Sequence, residues 1–127
     1  DADVLIHVIC DALLGAANLG DIGKHFPDNS DEFKDIDSKI LLKRVMQLIR
    51  VNNYEIVNID STICLQLPKL SLHIEKMKLE LSNCMKIDIN DLSIKATTTE
   101  KLGFVGSGAG ISAYATVLIN KVVAYIK

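Results

Sequence analysis

The sequence predicts an α+β fold in which helices pack on one face of a small sheet, and two patterns carry that expectation. Apolar residues recur at helical spacing over residues 3–18, 38–51 and 70–81, whereas they alternate with polar residues over 54–66 and 92–96. The order helix, helix, strand, helix, strand, strand then gathers the helices on one side of the sheet, in a ferredoxin-like arrangement. The other face stays open for a further copy of the chain, which favours a symmetric oligomer.

The 127 residues fit one domain spanning 1–127, large enough to bury a real core. The chain opens on Asp1 without an initiator Met, so an N-terminally truncated or processed start is expected. The net charge of -2, from 14 basic and 16 acidic residues, offers no global basic field for nucleic acid or for an anionic membrane. No apolar run approaches the ~20 residues a membrane span needs. Cys10, Cys64 and Cys84 are odd in number and widely spaced, which predicts reduced thiols in a reducing compartment.

The first helix, Asp3 to about Asn18, is apolar nearly all round, with Asp3, His7 and Asp11 lining one stripe at a spacing of four. Gly20 to Ser30 is rich in turn formers and predicts a loop. Asp37 or Ser38 can cap a second helix in which Ile40, Leu41, Val45, Leu48 and Ile49 face inward, and Asn52 and Asn53 end it. Along the first strand, Val57, Ile59, Ile63 and Leu65 share the covered side, and Pro68 stops the ladder. Leu70, Ile74, Met77 and Leu81 mark a third helix, and Leu92, Ile94 and Ala96 mark a strand that ends at the threonine run. After the glycine-rich turn GFVGSGAG, residues 111–126 are rich in β-branched types and predict a long final strand.

Candidate chemistry begins at His7. Asp3 and Asp11 flank it at i-4 and i+4, so a carboxylate can bond one ring nitrogen and leave the other as a basic donor to a metal. A lone helical histidine is as readily structural, and zinc would need further ligands from elsewhere. The run Thr97, Thr98, Thr99, Glu100 places hydroxyls and amides at a strand end, suited to phosphate oxygens, with a carboxylate suited to magnesium; an ordinary hydroxyl-capped turn would look the same. GFVGSGAG lacks the lysine and the setting of a phosphate-binding loop, and His25 and His73 lack ligand-spaced partners.

Taken together, DALLGAANLGDIGKHFPD at 11–28, the Pro68 and Lys69 step, and KATTTEKLGF at 95–104 resemble the 2-C-methyl-D-erythritol 2,4-cyclodiphosphate synthase family over essentially the whole chain. The resemblance implies a phosphorus-oxygen lyase of the non-mevalonate isoprenoid route. Such an enzyme converts 4-diphosphocytidyl-2-C-methyl-D-erythritol 2-phosphate to the cyclodiphosphate and CMP. It implies a homotrimer with active sites between subunits, located in a bacterial cytoplasm or a plastid-type organelle, such as an apicoplast or chloroplast. By the same resemblance His7 would hold a zinc-type ion and Glu100 a magnesium- or manganese-type ion, with Thr98 stabilising the transition state. Asp21, Ile22, Gly23, Phe26, Pro27, Asp28, Asn29 and Ser30 would grip the methylerythritol phosphate. Leu65, Gln66, Leu67, Pro68, Lys69, Leu70 and Ser71 would read cytosine, largely through backbone groups. Thr97, Thr98, Thr99 and Glu100 would meet the nucleotide phosphates, and Phe104 would also contact the substrate.

Three features depart from the family pattern. An Asp-x-His pair that completes the zinc site and a His-Ser pair both fall upstream of Asp1. Ser30 stands where an acidic residue is frequent, and Ser107 and Ala109 stand where many members carry an arginine and a glutamate. Two other readings compete with the enzyme: a catalytically inactive cytidine-nucleotide-binding trimer, and a trimeric scaffold that binds no nucleotide.

Overall fold

A computed structural model describes residues 2–27, 36–65, 73–97 and 110–123. Helix α1 spans Ala2–Ala16, a single-turn helix α2 spans Ile22–His25 and α3 spans Ser38–Val51. Strand β1, Tyr54–Cys64, leads to α4, Ile74–Met85, and then to a 3-10 turn at Ile89–Asp91. Strands β2, Leu92–Thr97, and β3, Ser112–Lys121, complete the described elements.

The sheet runs in the order β2-β1-β3, parallel between β1 and β2 and antiparallel between β1 and β3. The α+β expectation of a small sheet with helices therefore holds. The ferredoxin-like detail differs, because α4 connects strands that are direct neighbours, whereas a ferredoxin-like unit inserts another strand between them. Sequence alternation fixes which side of a strand is covered but carries no information on strand order.

Helix α1 is the centre of the core. Leu5, Ile6, Ile9, Cys10, Leu13 and Leu14 are all buried, packed against β3, β1 and α3. The stripe of Asp3, His7 and Asp11 is exposed, as the spacing predicted. In α3 the buried set is Leu41, Leu42, Val45, Met46 and Ile49, while Ile40 is 50% exposed. Ile40 is thus a correction: the inward stripe runs through 38, 41, 42, 45, 46 and 49, and position 40 falls outside it. Asp37 caps the helix by accepting from Lys39 N at 2.8 Å, and Asn53 takes a left-handed φ of 67° directly after the Asn52 C-cap.

A bulge in β1 overturns part of the predicted alternation. Ile56 pairs with Ile119, but the next pair is Asn58 with Leu118, so Val57 is an extra residue on one strand. The inward phase shifts by one: Ile56, Ile59, Ser61 and Ile63 are buried, while Val57 is exposed. Buried Ser61 is satisfied through its hydroxyl, which donates to Ser93 O at 2.9 Å. The opposite face carries Asp60, Thr62, Lys95, Thr116, Tyr114 and Leu118, and the last two are 65% and 56% exposed. Lys95 on that face donates to Asp60 at 3.0 Å and holds its carboxyl below the usual carboxylate range. The final strand starts one residue later than expected and ends at Lys121, with Val122 and Val123 outside it, and the stretches holding Pro68 and Leu70 lie outside the described residues.

A clasp ties three elements together at the far end of α3. Arg50 donates to Glu55 on β1 at 2.9 Å and to the Met85 carbonyl of α4 at 2.8 Å. That hydrogen bond keeps the Glu55 carboxyl ionised below its ordinary range.

The bulge separates two neighbouring apolar residues by energy. Ile59→Ala should cost about 2–5 kcal/mol through lost burial and the cavity left behind. Val57→Ala should cost under about 1 kcal/mol. Urea unfolding of both variants checks this, and equal losses would mean that Val57 packs inward.

Candidate active site

His7 stands on the exposed stripe of α1, with its Nδ1 2.6 Å from the Asp3 carbonyl oxygen. A carbonyl can only accept, so the neutral ring is the Nδ1–H tautomer, with the lone pair on Nε2. That is the tautomer needed for Nε2 to serve as a metal ligand.

The carboxylates expected to orient this ring do other work. An Asp3 carboxylate oxygen accepts from Ser38 Oγ at 2.6 Å, joining the starts of α1 and α3. Asp11 Oδ1 accepts from Ile22 N at 3.0 Å, joining α1 to α2. The correction has a simple cause. Helix geometry already sets the i-4 carbonyl beside the His7 ring, while the carboxylates are drawn to donors at the starts of neighbouring helices.

The Gly20 to Ser30 segment, expected as a loop, contains α2. Asp21 caps it by accepting from Lys24 N at 2.9 Å, and Phe26 N donates to Ile22 O at 2.8 Å. Gly20 enters the turn at φ 93°, where an L side chain is strained. A four-residue helix is too short for periodicity to reveal; the legible signal was Asp21 at a capping position. Asp21 and Gly23 are exposed, and Ile22 and Pro27 are half-buried. Phe26 is 7% exposed within the core, so any contact it makes with a ligand falls to its backbone. His25 donates from Nε2 to the Leu19 carbonyl.

At the C-terminal ends of β1 and β2, Leu65 N donates to Thr97 O at 3.0 Å, extending the parallel ladder one step beyond Cys64. Leu65 is buried and Thr97 is exposed, so Leu65 offers backbone groups only. Asp28, Asn29, Ser30, Gln66, Leu67, Pro68, Lys69, Leu70, Ser71, Thr98, Thr99, Glu100 and Phe104 lie outside the described residues, as do Ser107 and Ala109. Two groupings result: His7 with the α2 turn through Asp11, and Leu65 with Thr97 through the ladder.

The described residues place no three His, Cys, Asp or Glu side chains together as a metal cage. His7 fits one nitrogen ligand of such a site by its exposure and by an Nε2 that has no hydrogen-bond partner among the described residues. Ser38, which sequence reasoning took only as a possible cap, is 8% exposed and its hydroxyl secures Asp3. Burial pushes the Cys10 thiol up to about 12 and raises Cys84 as well, so neither is a ready thiolate. The three thiols are free. A cleft of about 620 Å³ between α3 and α4, lined by Lys43, Met46, Gln47, Arg50, Cys84 and Lys86 among others, includes none of His7, Leu65 and Thr97.

Fold and site define a class: mixed α+β domains with a small sheet, a histidine-bearing helix and a capped turn fastened beside it. Residues 1–120 match the YgbB family. The chain is 66% identical over 122 residues to 2-C-methyl-D-erythritol 2,4-cyclodiphosphate synthase of Bacteroides fragilis, covering 96% of this chain and 77% of that protein. It is 63% identical over 121 residues to the synthase of Phocaeicola vulgatus, covering 95% and 76%. Among solved structures, the bifunctional IspDF of Campylobacter jejuni matches with a TM-score of 0.89 at 39% identity, covering 93% of this chain and 32% of that one. A CDP complex of Plasmodium falciparum IspF matches with a TM-score of 0.83 at 33% identity, covering 94% and 72%. The chain belongs to the YgbB family of 2-C-methyl-D-erythritol 2,4-cyclodiphosphate synthases.

A ligand role for His7 predicts that His7→Ala lowers the zinc content of the purified protein, whereas Asp3→Asn, which leaves the main-chain carbonyl in place, leaves it unchanged. Metal analysis of both variants decides the matter, and zinc content unchanged in His7→Ala would return His7 to a structural role.

Proposed function

We propose that the chain is a metal-assisted lyase that converts 4-diphosphocytidyl-2-C-methyl-D-erythritol 2-phosphate to 2-C-methyl-D-erythritol 2,4-cyclodiphosphate and CMP. An oxygen of the 2-phosphate attacks the β-phosphorus. The bond from that phosphorus to the oxygen bridging toward the α-phosphate breaks, and its electron pair leaves with CMP. The observation that carries the reading is the 66% identity, over nearly the whole chain, to a protein bearing that name. It leaves the inactive cytidine-binding alternative unfavoured.

An in-line transfer needs its reactants held close and its growing charge met by fixed dipoles. Asp21, Ile22, Gly23, Phe26, Pro27, Asp28, Asn29 and Ser30 would hold the methylerythritol phosphate, with buried Phe26 pinning the segment to the core. Leu65 to Ser71 would read the cytosine edge through backbone groups, a role that suits the buried side chain of Leu65. Thr97, Thr98, Thr99 and Glu100 would receive the nucleotide phosphates, Thr98 donating to the charge that develops in the transition state. Phe104 would complete the substrate contacts.

His7, through Nε2, and Glu100 would each hold a divalent ion, zinc-type and magnesium- or manganese-type respectively, that supplies charge neutralisation on the diphosphate when bound. A homotrimer with shared sites fits the open sheet face, where exposed Tyr114 and Leu118 invite cover by another copy. The bacterial origin of the 54–66% identical relatives supports a bacterial cytoplasm and gives no support to a plastid-type organelle. Among the described residues no helix is long and apolar enough to cross a membrane.

CMP release from the authentic substrate tests the activity. In the full-length protein Glu100→Gln should lower turnover by roughly 100-fold or more while assembly survives. Wild-type rates in that variant would remove Glu100 from the mechanism, and cytidine nucleotide binding without CMP release by the wild-type protein would favour the inactive trimer.

A further inference from the structure

The hydrogen bond from Ile22 N to Asp11 Oδ1 joins helix α1 to the first residue of α2. A helix of four residues cannot hold its place by its own cooperativity, so its position depends on what fastens its ends. Phe26, buried in the core, fastens the far end. Asp11 fastens the near end, and it sits one turn beyond His7 on the same exposed stripe. The Asp21 cap and the bond from His25 to Leu19 are internal to residues 19–25 and set the shape of the turn. Asp11 instead sets its distance from His7. Gly20, at φ 93°, gives the chain the freedom to enter there.

We propose that Asp11 is a positioning residue. Its carboxylate clasps the α2 turn to the helix that carries His7, and so holds the Asp21 to Gly23 segment in register with the His7 imidazole. The role rests on the reading of the α2 turn as the grip on the methylerythritol phosphate. It assigns Asp11 no contact with substrate or metal. An error of about 1 Å in such a placement can cost a reaction on the order of 100-fold, so one hydrogen bond at this point has leverage on binding.

Steady-state kinetics of the full-length protein, with Asp11→Ala and Asp11→Asn, provide the test. Asp11→Ala should raise KM for the diphosphocytidyl substrate about tenfold, with a smaller change in kcat. Its metal content and its affinity for CDP, which is read at the strand ends, should stay at wild-type values. Asp11→Asn keeps an oxygen that can accept from Ile22 N, and should recover most of the loss. Hydrogen exchange at the Ile22 amide needs no turnover, and its protection should fall in Asp11→Ala and persist in Asp11→Asn. An unchanged KM in Asp11→Ala, a metal loss equal to that of His7→Ala, or an Asn variant no better than Ala would each overturn the proposal. Absence of CMP release from the wild-type protein would instead sink the functional reading, and the clasp would then stand or fall on the Ile22 exchange alone.

Discussion

Helix α1 has to be buried on all but one side, and that requirement organises the rest of the chain. Its residues Leu5, Ile6, Ile9, Cys10, Leu13 and Leu14 point in too many directions for one partner to cover. Strands β3 and β1 take one flank and α3 another, which fixes how the sheet and the outer helices lie. What remains exposed is a single stripe, and it holds His7 and Asp11. The rigidity of a core helix is thus lent to the groups from which a site is built.

The polar contacts around that stripe follow one rule. Each acidic side chain goes to a donor at the start of a helix, its own or a neighbouring one. Asp3 takes Ser38, Asp11 takes Ile22, Asp21 takes Lys24 and Asp37 takes Lys39. The imidazole of His7 is left to the main chain, whose position is set by helix geometry and does not depend on a rotamer. Its tautomer is therefore fixed by the fold itself.

The sheet has two unlike faces. The inner one is closed by helices and carries Ile59, Ile63, Leu92 and Ile94, while the outer one mixes an ion pair with threonines and exposed Tyr114 and Leu118. Because the ladder extends through Leu65 to Thr97, the backbone groups of these two residues are set by strand geometry and not by side-chain packing. A segment held in this way can present amides and carbonyls to a ligand while its side chains stay apolar.

Much of this was legible in the sequence because it depends on periodicity. The stripe of Asp3, His7 and Asp11, the cap at Asp37 and the inward Ile59 and Ile63 are fixed by spacings of four, three and two, which reflect backbone geometry alone. The motifs at 11–28 and 95–104 likewise carried the family, since dense strings of functional residue types are local in the chain. The rest turned on residues distant in sequence. The bulge at Val57 depends on how β3 pairs with β1, the order β2-β1-β3 on how α4 crosses the sheet, and the partner of Asp11 on where α2 comes to rest. A spacing can say which face a residue occupies. Only the packed chain decides which donor stands within 3.0 Å of a carboxylate on that face, because hydrogen bonds are settled by distances that arise after the elements have met.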